Sequence, residues 1–428
     1  MVVNILIAVV ALGMLAWLTL SPQLRHSSAW AATMTPLASI MGSGFLVSAP
    51  LLASVAGNYA PLAMVVLLLV AWLIGSAIRF NIANAEPLFD KITVPVLGGS
   101  DHKYHHSHRL TAELGKGVEK LSHYVLACAY FISITYYIQL LSLFALQPFG
   151  IDSGFFPKTL ATSLLVIISG TGFLFGLHMV EKVERYIVSL NLATILALLT
   201  GLIVFNGQAA MSGTWKLPEL TIGSDPWHTL RVMMGLLVVV QGFETSRFLG
   251  SEHPAKVRIK TMRWAQGIAS LIYLVFLSLM LIVITPEQAS SSADVTMILT
   301  LIAPVATILP MLLTVTAVGS QFTAAVADEA GCGGLLESLT KNWLNAKTAY
   351  LAIGGMTILL VWGVDVLQVI SLASRAFALF YALQCAVATS IAWSENEKHP
   401  QREPAKAVGF GLLTLLSLII TICGISSE

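Results

Sequence analysis

The sequence predicts an all-α polytopic membrane protein of about twelve transmembrane helices, with a five-plus-five inverted repeat at its core. Three observations predict it. Charged residues make up 11% of the 428-residue chain and hydrophobic residues 56%, whereas an ordinary soluble domain carries about 25% charged residues. Apolar stretches near the roughly 20-residue length of a membrane-crossing helix recur throughout. Two of these stretches are interrupted near mid-depth by glycine-containing runs, and each interruption opens a set of five spans.

The apolar stretches are Met1–Leu20, Ala32–Ala56, Pro61–Asn84, Gly117–Leu146, Lys158–Leu177, Tyr186–Phe205, His228–Leu249, Met262–Ile284, Val295–Ala327, Thr348–Gly363, Val366–Trp393 and Ala407–Cys423. The first lacks the positive leader of a signal peptide, so a retained first span is expected although Ala29-Trp30-Ala31 resembles a cleavage site. The connections "NAEPLFDKITVPVLGGSDHKYHHSHR" and "SENEKHPQREPAK" read as polar loops.

Lysine and arginine are retained on the cytoplasmic side. If Ala32–Ala56 rises from the inside, the cations at Arg79–Lys120, Lys182–Arg185, Arg247–Arg263, Lys341–Lys347 and Lys398–Lys406 all fall inside. Both termini then lie outside. The net charge of +1 offers no basic face for nucleic acid. Cys128, Cys332, Cys385 and Cys423 are scattered, which argues against a disulfide framework or a zinc site. No HExxH, Gly-x-Ser-x-Gly or pair of aspartates suggests an enzyme.

The first interruption is "SIMGSGFLVSAP", Ser39–Pro50. Gly42 lies ten residues into its span, about 15 Å deep at 1.5 Å per residue. The second is "VVVQGFETSRFLG", where Gly242 is again near mid-depth in a helix running the other way. The units 32–205 and 228–393 therefore each begin with a broken helix. Residues 1–20 and 407–423 flank them as additional helices. Unwound backbone is tolerated at this depth where it lines a cavity or is buried in protein. Freed N–H groups suit a carboxylate and freed carbonyls suit a cation. Glycine also permits close helix packing, but two breaks at matched depth and matched position favour a binding site.

"IMGSGFLVSAP" resembles the first-helix Gly-Ser-Gly signature of the amino acid–polyamine–organocation (APC) transporters. "QGFETSRFLGSEHPAKVRIKTM" is similar to their sixth helix and the basic loop after it. The resemblance covers most of the chain. It implies the leucine-transporter-type fold, ten core helices in two inverted halves, and secondary transport of amino acids or related amines. The extra leading span departs from that pattern. Metal-ion transporters of this fold carry Asp-Pro-x-Asn and Met-Pro-His at the two breaks, and neither occurs here.

Ionisable groups at membrane depth mark functional candidates. Arg375 lies about 14 Å into its span. It either pairs with Glu244 or Asp328, or binds an anionic substrate or tunes a coupling carboxylate. Glu244 is a coupling carboxylate or a cap on the inner half-helix. Ser320 and Thr323 stand one turn apart, and the resemblance implies that they hold sodium together with the Ile40 carbonyl. They can equally bond back to their own helix. Tyr136, Tyr137 and Gln139 are central in the fourth span, as a lid or as packing. His102, His105, His106 and His108 could bind metal but are expected to form a solvated loop.

The function expected is a secondary active transporter of a small zwitterion, with an amino acid as first candidate, in the cytoplasmic membrane of a bacterium. Its substrate would contact Ile40, Gly42, Ser43, Gly44, Phe45, Tyr136, Gln241, Gly242, Phe243, Glu244 and Arg375. Glu244 and Asp328 are the candidate coupling carboxylates. Beyond a possible sodium ion no cofactor is expected. A nucleobase, organic cation or anion cargo is the rival within transport, and a non-transporting sensor or subunit is the rival outside it.

Overall fold

Apolar runs without strong helix breakers form long helices, and the computed structural model is built of them. It describes residues 2–93, 104–151, 153–176, 178–220, 225–250, 253–286, 288, 295–340, 343–398 and 404–426. In order, the helices are α1 (Val2–Leu20), α2 (Pro22–Arg25), α3 (Ser28–Ser43), α4 (Phe45–Ala56), α5 (Ala60–Thr93), α6 (Tyr104–Leu146), α7 (Phe155–Phe175) and α8 (His178–Met211). They continue with α9 (Pro226–Gly235), α10 (Thr245–Phe248), α11 (Ala255–Met280), α12 (Met297–Ile302), α13 (Leu309–Leu339), α14 (Ala346–Gly363), α15 (Val366–Lys398) and α16 (Pro404–Cys423).

Among the described residues, nine helical stretches are long and apolar enough to cross a membrane. The sequence-based figure of about twelve differs for definable reasons. The expected spans Ala32–Ala56 and His228–Leu249 are each divided into shorter pieces, α3 with α4 and α9 with α10. Helix α14 is apolar but short. The expected span Val295–Ala327 is two elements: α12 ends at Ile302, and α13 starts afresh at Leu309 with Pro310 in its first turn, a position that proline tolerates.

Several helices outrun their apolar segments. Helix α5 has 34 residues, about 51 Å, and α6 has 43, about 65 Å. Both exceed the roughly 30 Å hydrocarbon core. The stretch 84–109, expected as a loop, is therefore helical at both ends, over 84–93 and from Tyr104 onward. Likewise 394–398 prolongs α15 and 404–406 opens α16. Polar residues end membrane insertion without ending a helix.

Position in the bundle follows composition. In α6, 72% of the most apolar window is buried; in α1 only 17% is. Helix α1 turns Leu12 and Leu20 outward, and α7 exposes Val166 and Phe175. Such faces suit lipid. The interior is formed by α6 packed along α13 and α15, with α3 against α11 and α13 against α8. Helix α1 packs on α8, α14 on α7, and α16 on α15. Small residues allow the close contacts that membrane bundles need, as where Gly75 meets the Gln266 side chain.

A candidate substrate site beside two interrupted helices

The first break falls at Gly44, with φ −147° and ψ −1°, between α3 and α4. The second is longer. After α9 comes a 3-10 turn, Leu237–Val240, then Gln241 in extended backbone and Gly242 at φ +117° before α10. That φ lies where side chains other than glycine are strained.

The breaks interlock. A Cβ on Gly44 would sit 2.5 Å from Val239 Cα, so this glycine lets α4 lie directly on the second break. A Cβ on Gly242 would sit 2.7 Å from the Ile40 amide nitrogen and equally close to Ser39. Each glycine rests on the backbone of the other interrupted helix.

Interruption strips backbone groups of their helical partners, and buried groups must find others. The Tyr273 hydroxyl of α11 lies within hydrogen-bond reach of both Ile40 O (3.1 Å) and Val239 O (2.6 Å), and so bridges the two breaks. Gln321 Nε2 of α13 donates to Gly42 O at 2.7 Å. Val238 N donates to Ser374 Oγ of α15 at 2.8 Å. Glu244 Oε2 accepts from Gly242 N at 2.9 Å and from the Tyr381 hydroxyl at 2.8 Å, while Phe243 stacks on the Tyr381 ring. Glu244 thus caps the break that precedes it, and its side chain does not cap α10. Gln241 Nε2 reaches the Tyr137 hydroxyl at 3.4 Å.

Next to the interlocked breaks lies a cavity of about 170 Å³. Its walls are Thr35 and Ser39 of α3, Tyr130 and Tyr137 of α6, Asn191 of α8, Thr245 of α10, and Ser320, Thr323 and Asp328 of α13, completed by apolar side chains. Asp328 accepts a hydrogen bond from Ser133 of α6. Among the described residues no lysine or arginine lines this space, and Asp328 is its charged wall.

An ion-pair network holds the inner half-helix on the side of the cation-rich loops. Arg247, its side chain 4% exposed, donates to Glu119 Oε1 of α6 at 2.7 Å. Arg258 of α11 grips Glu86 of α5 through two contacts, at 2.6 and 3.1 Å, and also donates to Arg247 O at 2.8 Å. Gln384 Nε2 of α15 donates to Glu119 Oε2 and to Ser122 Oγ. Four long helices therefore converge on the four-residue α10.

The predicted residues divide. Tyr137, Ser320, Thr323 and Asp328 line the cavity, together with Ser39 beside Ile40. Gly42, Gly44, Phe45, Gln241, Gly242, Phe243 and Glu244 form the buried junction next to it. Ser320 bonds back to Ala317 O, and Thr323 to Gly319 O and Ser320 O, which is the self-bonded alternative for these hydroxyls. The Ile40 carbonyl, assigned to sodium, faces Tyr273. Tyr136 is fully buried against Tyr137, outside the cavity wall. Gln139 donates to Val361 O and Val364 O, away from the site.

Arg375 is a correction. It neither pairs with Glu244 or Asp328 nor faces the cavity: its side chain is exposed and Nε donates to Thr421 O of α16 at 2.7 Å. Its neighbour Ser374 points to the break, and one residue of helix turns the next side chain by about 100°. The side chains of Ser43, His102, His105, His106 and His108 lie outside the described residues. Tyr273, Gln321, Ser374 and Tyr381 went unread in the sequence. Each is a polar residue inside an apolar span, the one signal available for them.

Over residues 22–424 the sequence matches a family described as an APC superfamily transporter. The chain belongs to that superfamily. An uncharacterized protein from Aquifex aeolicus (strain VF5) is 39% identical over 410 residues, which span 96% of this chain and 94% of that one. A manganese transporter from Eremococcus coleocola superposes with a TM-score of 0.54 at 14% identity, covering 93% of this APC chain and 87% of its own. Another structure of that transporter, with an aromatic bis-isothiourea compound, has the same TM-score and covers 92% and 87%. At that identity the likeness extends to the fold. The APC protein is an integral membrane transporter, not an enzyme.

Proposed function

We propose that this APC protein is a secondary active transporter for a small solute bearing an ammonium group, an amino acid in the first instance, in the cytoplasmic membrane of a bacterium. One observation carries the reading: the polar walls of the cavity beside the breaks are hydroxyls, an amide and the carboxylate of Asp328, with no lysine or arginine among the described residues. A carboxylate at membrane depth that faces open space calls for a positive partner. Nearby, Gln241 Oε1 and Gln321 Oε1 are buried acceptors without a partner among the described residues, and they suit a donor as well. An anion finds no lysine or arginine on these walls among the described residues.

The substrate carboxylate would use the amides at the start of α4, which no side chain caps, once Gly44 parts from Val239. Rocking of the halves 32–205 and 228–393 about the interlocked glycines gives alternating access. The reciprocal contacts Gly44–Val239 and Gly242–Ile40 support that two-part division. Coupling falls to sodium near Ser320 and Thr323 or to protons on Asp328 and Glu244. A ligand that binds only the native state raises its melting midpoint. Screened with and without sodium, purified protein is expected to be stabilised by amine-bearing solutes and to lose that response in Asp328→Asn. Stabilisation by nucleobases or amine-free anions instead would overturn the reading.

A further inference from the structure

A second and larger cavity, of about 670 Å³, lies between α5, α11 and α16, apart from the substrate site. We propose that it holds an anionic phospholipid of the inner leaflet, with the phosphate between Arg79, Arg263 and Lys406 and an acyl chain along α16.

The cavity is polarised. Helix α5 passes through it from Leu73 to Asn84, and α16 runs the other way from Lys406 to Leu416. Phe80 packs on Phe410, so Arg79 stands about one helical turn from Lys406, in the half nearer the cation-rich loops, and leucines line the other half. Lys406 to Leu416 is ten residues, about 15 Å of helix, which equals one leaflet of a 30 Å hydrocarbon core. Among the described residues, no aspartate or glutamate lines it.

Arg79 supplies the second argument. It is 6% exposed, yet among the described residues its guanidinium has neutral partners: Gln266 Oε1, Trp72 O at 3.3 Å and the Trp72 ring at 5.1 Å. Among the described residues neither Arg79 nor Arg263 takes part in an ion pair, and the two cations repel one another. A buried cation at membrane depth is costly until an anion meets it. Elsewhere in this chain the buried Arg247 and Arg258 have their glutamates. The charge left unanswered faces the leaflet in which anionic lipids gather.

Detergent-purified protein tests this through its melting midpoint with phosphatidylglycerol, phosphatidylcholine or sodium phosphate, comparing wild type with the exposed-residue variant Arg263→Gln/Lys406→Gln. The expected result is a rise of several degrees with phosphatidylglycerol alone, lost in the double variant. An equal rise with phosphatidylcholine would reduce the cavity to an apolar groove, and an equal rise with phosphate would make it a free-anion site; either overturns the proposal. So does a double variant that keeps the response. Leu413→Trp, which fills the apolar end and leaves the cations in place, is expected to abolish the phosphatidylglycerol rise, and its persistence would contradict the lipid assignment.

Discussion

Gly44 lies against Val239 so closely that a methyl group on the glycine would stand 2.5 Å from the valine Cα. Because Gly242 makes the matching contact with the backbone of Ser39 and Ile40 and with the Ser39 hydroxyl, each glycine places its interrupted helix directly on the backbone of the other. An added side chain cannot be absorbed by a rotamer change. Gly44→Val is expected to reduce uptake into proteoliposomes at least tenfold while the protein still elutes as a folded monodisperse species. Overpacking of this kind costs about 1–3 kcal/mol. Wild-type uptake by this variant would remove the interlock from the mechanism.

The Tyr273 hydroxyl is in reach of carbonyls on both broken helices. Tyr273→Phe keeps the ring that packs edge-on to Phe45 and deletes the bridge. Leaving buried carbonyls unpaired costs about 1–3 kcal/mol, so the melting midpoint should fall. Tyr273→Ala, which loses packing as well, should fall further.

Glu244 and Tyr381 act as one unit with the Gly242 amide. Glu244→Gln and Tyr381→Phe are each expected to destabilise, and the double variant less than the sum of the two. A double-mutant cycle on the melting free energy measures this, with a coupling of about 0.5–3 kcal/mol anticipated for groups in direct contact. Strict additivity would mean that the carboxylate does not hold the break through the tyrosine.

Arg375→Gln should leave substrate preference unchanged, because the side chain is exposed, donates to Thr421 O of α16 and is not among the residues that wall the cavity. Competition uptake against a panel of solutes checks this. A changed rank order would restore the arginine to the site.

What the sequence disclosed follows from how each feature is encoded. Glycines within long apolar runs stand out one-dimensionally, so Gly44 and Gly242 were legible. Depth along a span is a residue count that the sequence supplies. Direction around the helix is not a count: Ser374 reaches the second break while Arg375, one place along, turns outward. Tyr273 and Gln321 escape a local reading because their partners are freed backbone carbonyls of distant segments, and Tyr381 because its partner is the distant Glu244 carboxylate, which no local pattern records. The division of Val295–Ala327 into α12 and α13 was hidden because the turn between them, Ala303–Ile308, is itself mostly apolar.

Direct binding of an amine to Asp328 tests the central claim. Isothermal titration of purified wild type with the amine-bearing solute that stabilises it most should give saturable binding, weakened at least tenfold in Asp328→Asn, with the variant retaining its fold. Unaltered affinity in that variant would contradict the account, since the cavity would then be recognising its solute without the one charge that its walls carry among the described residues.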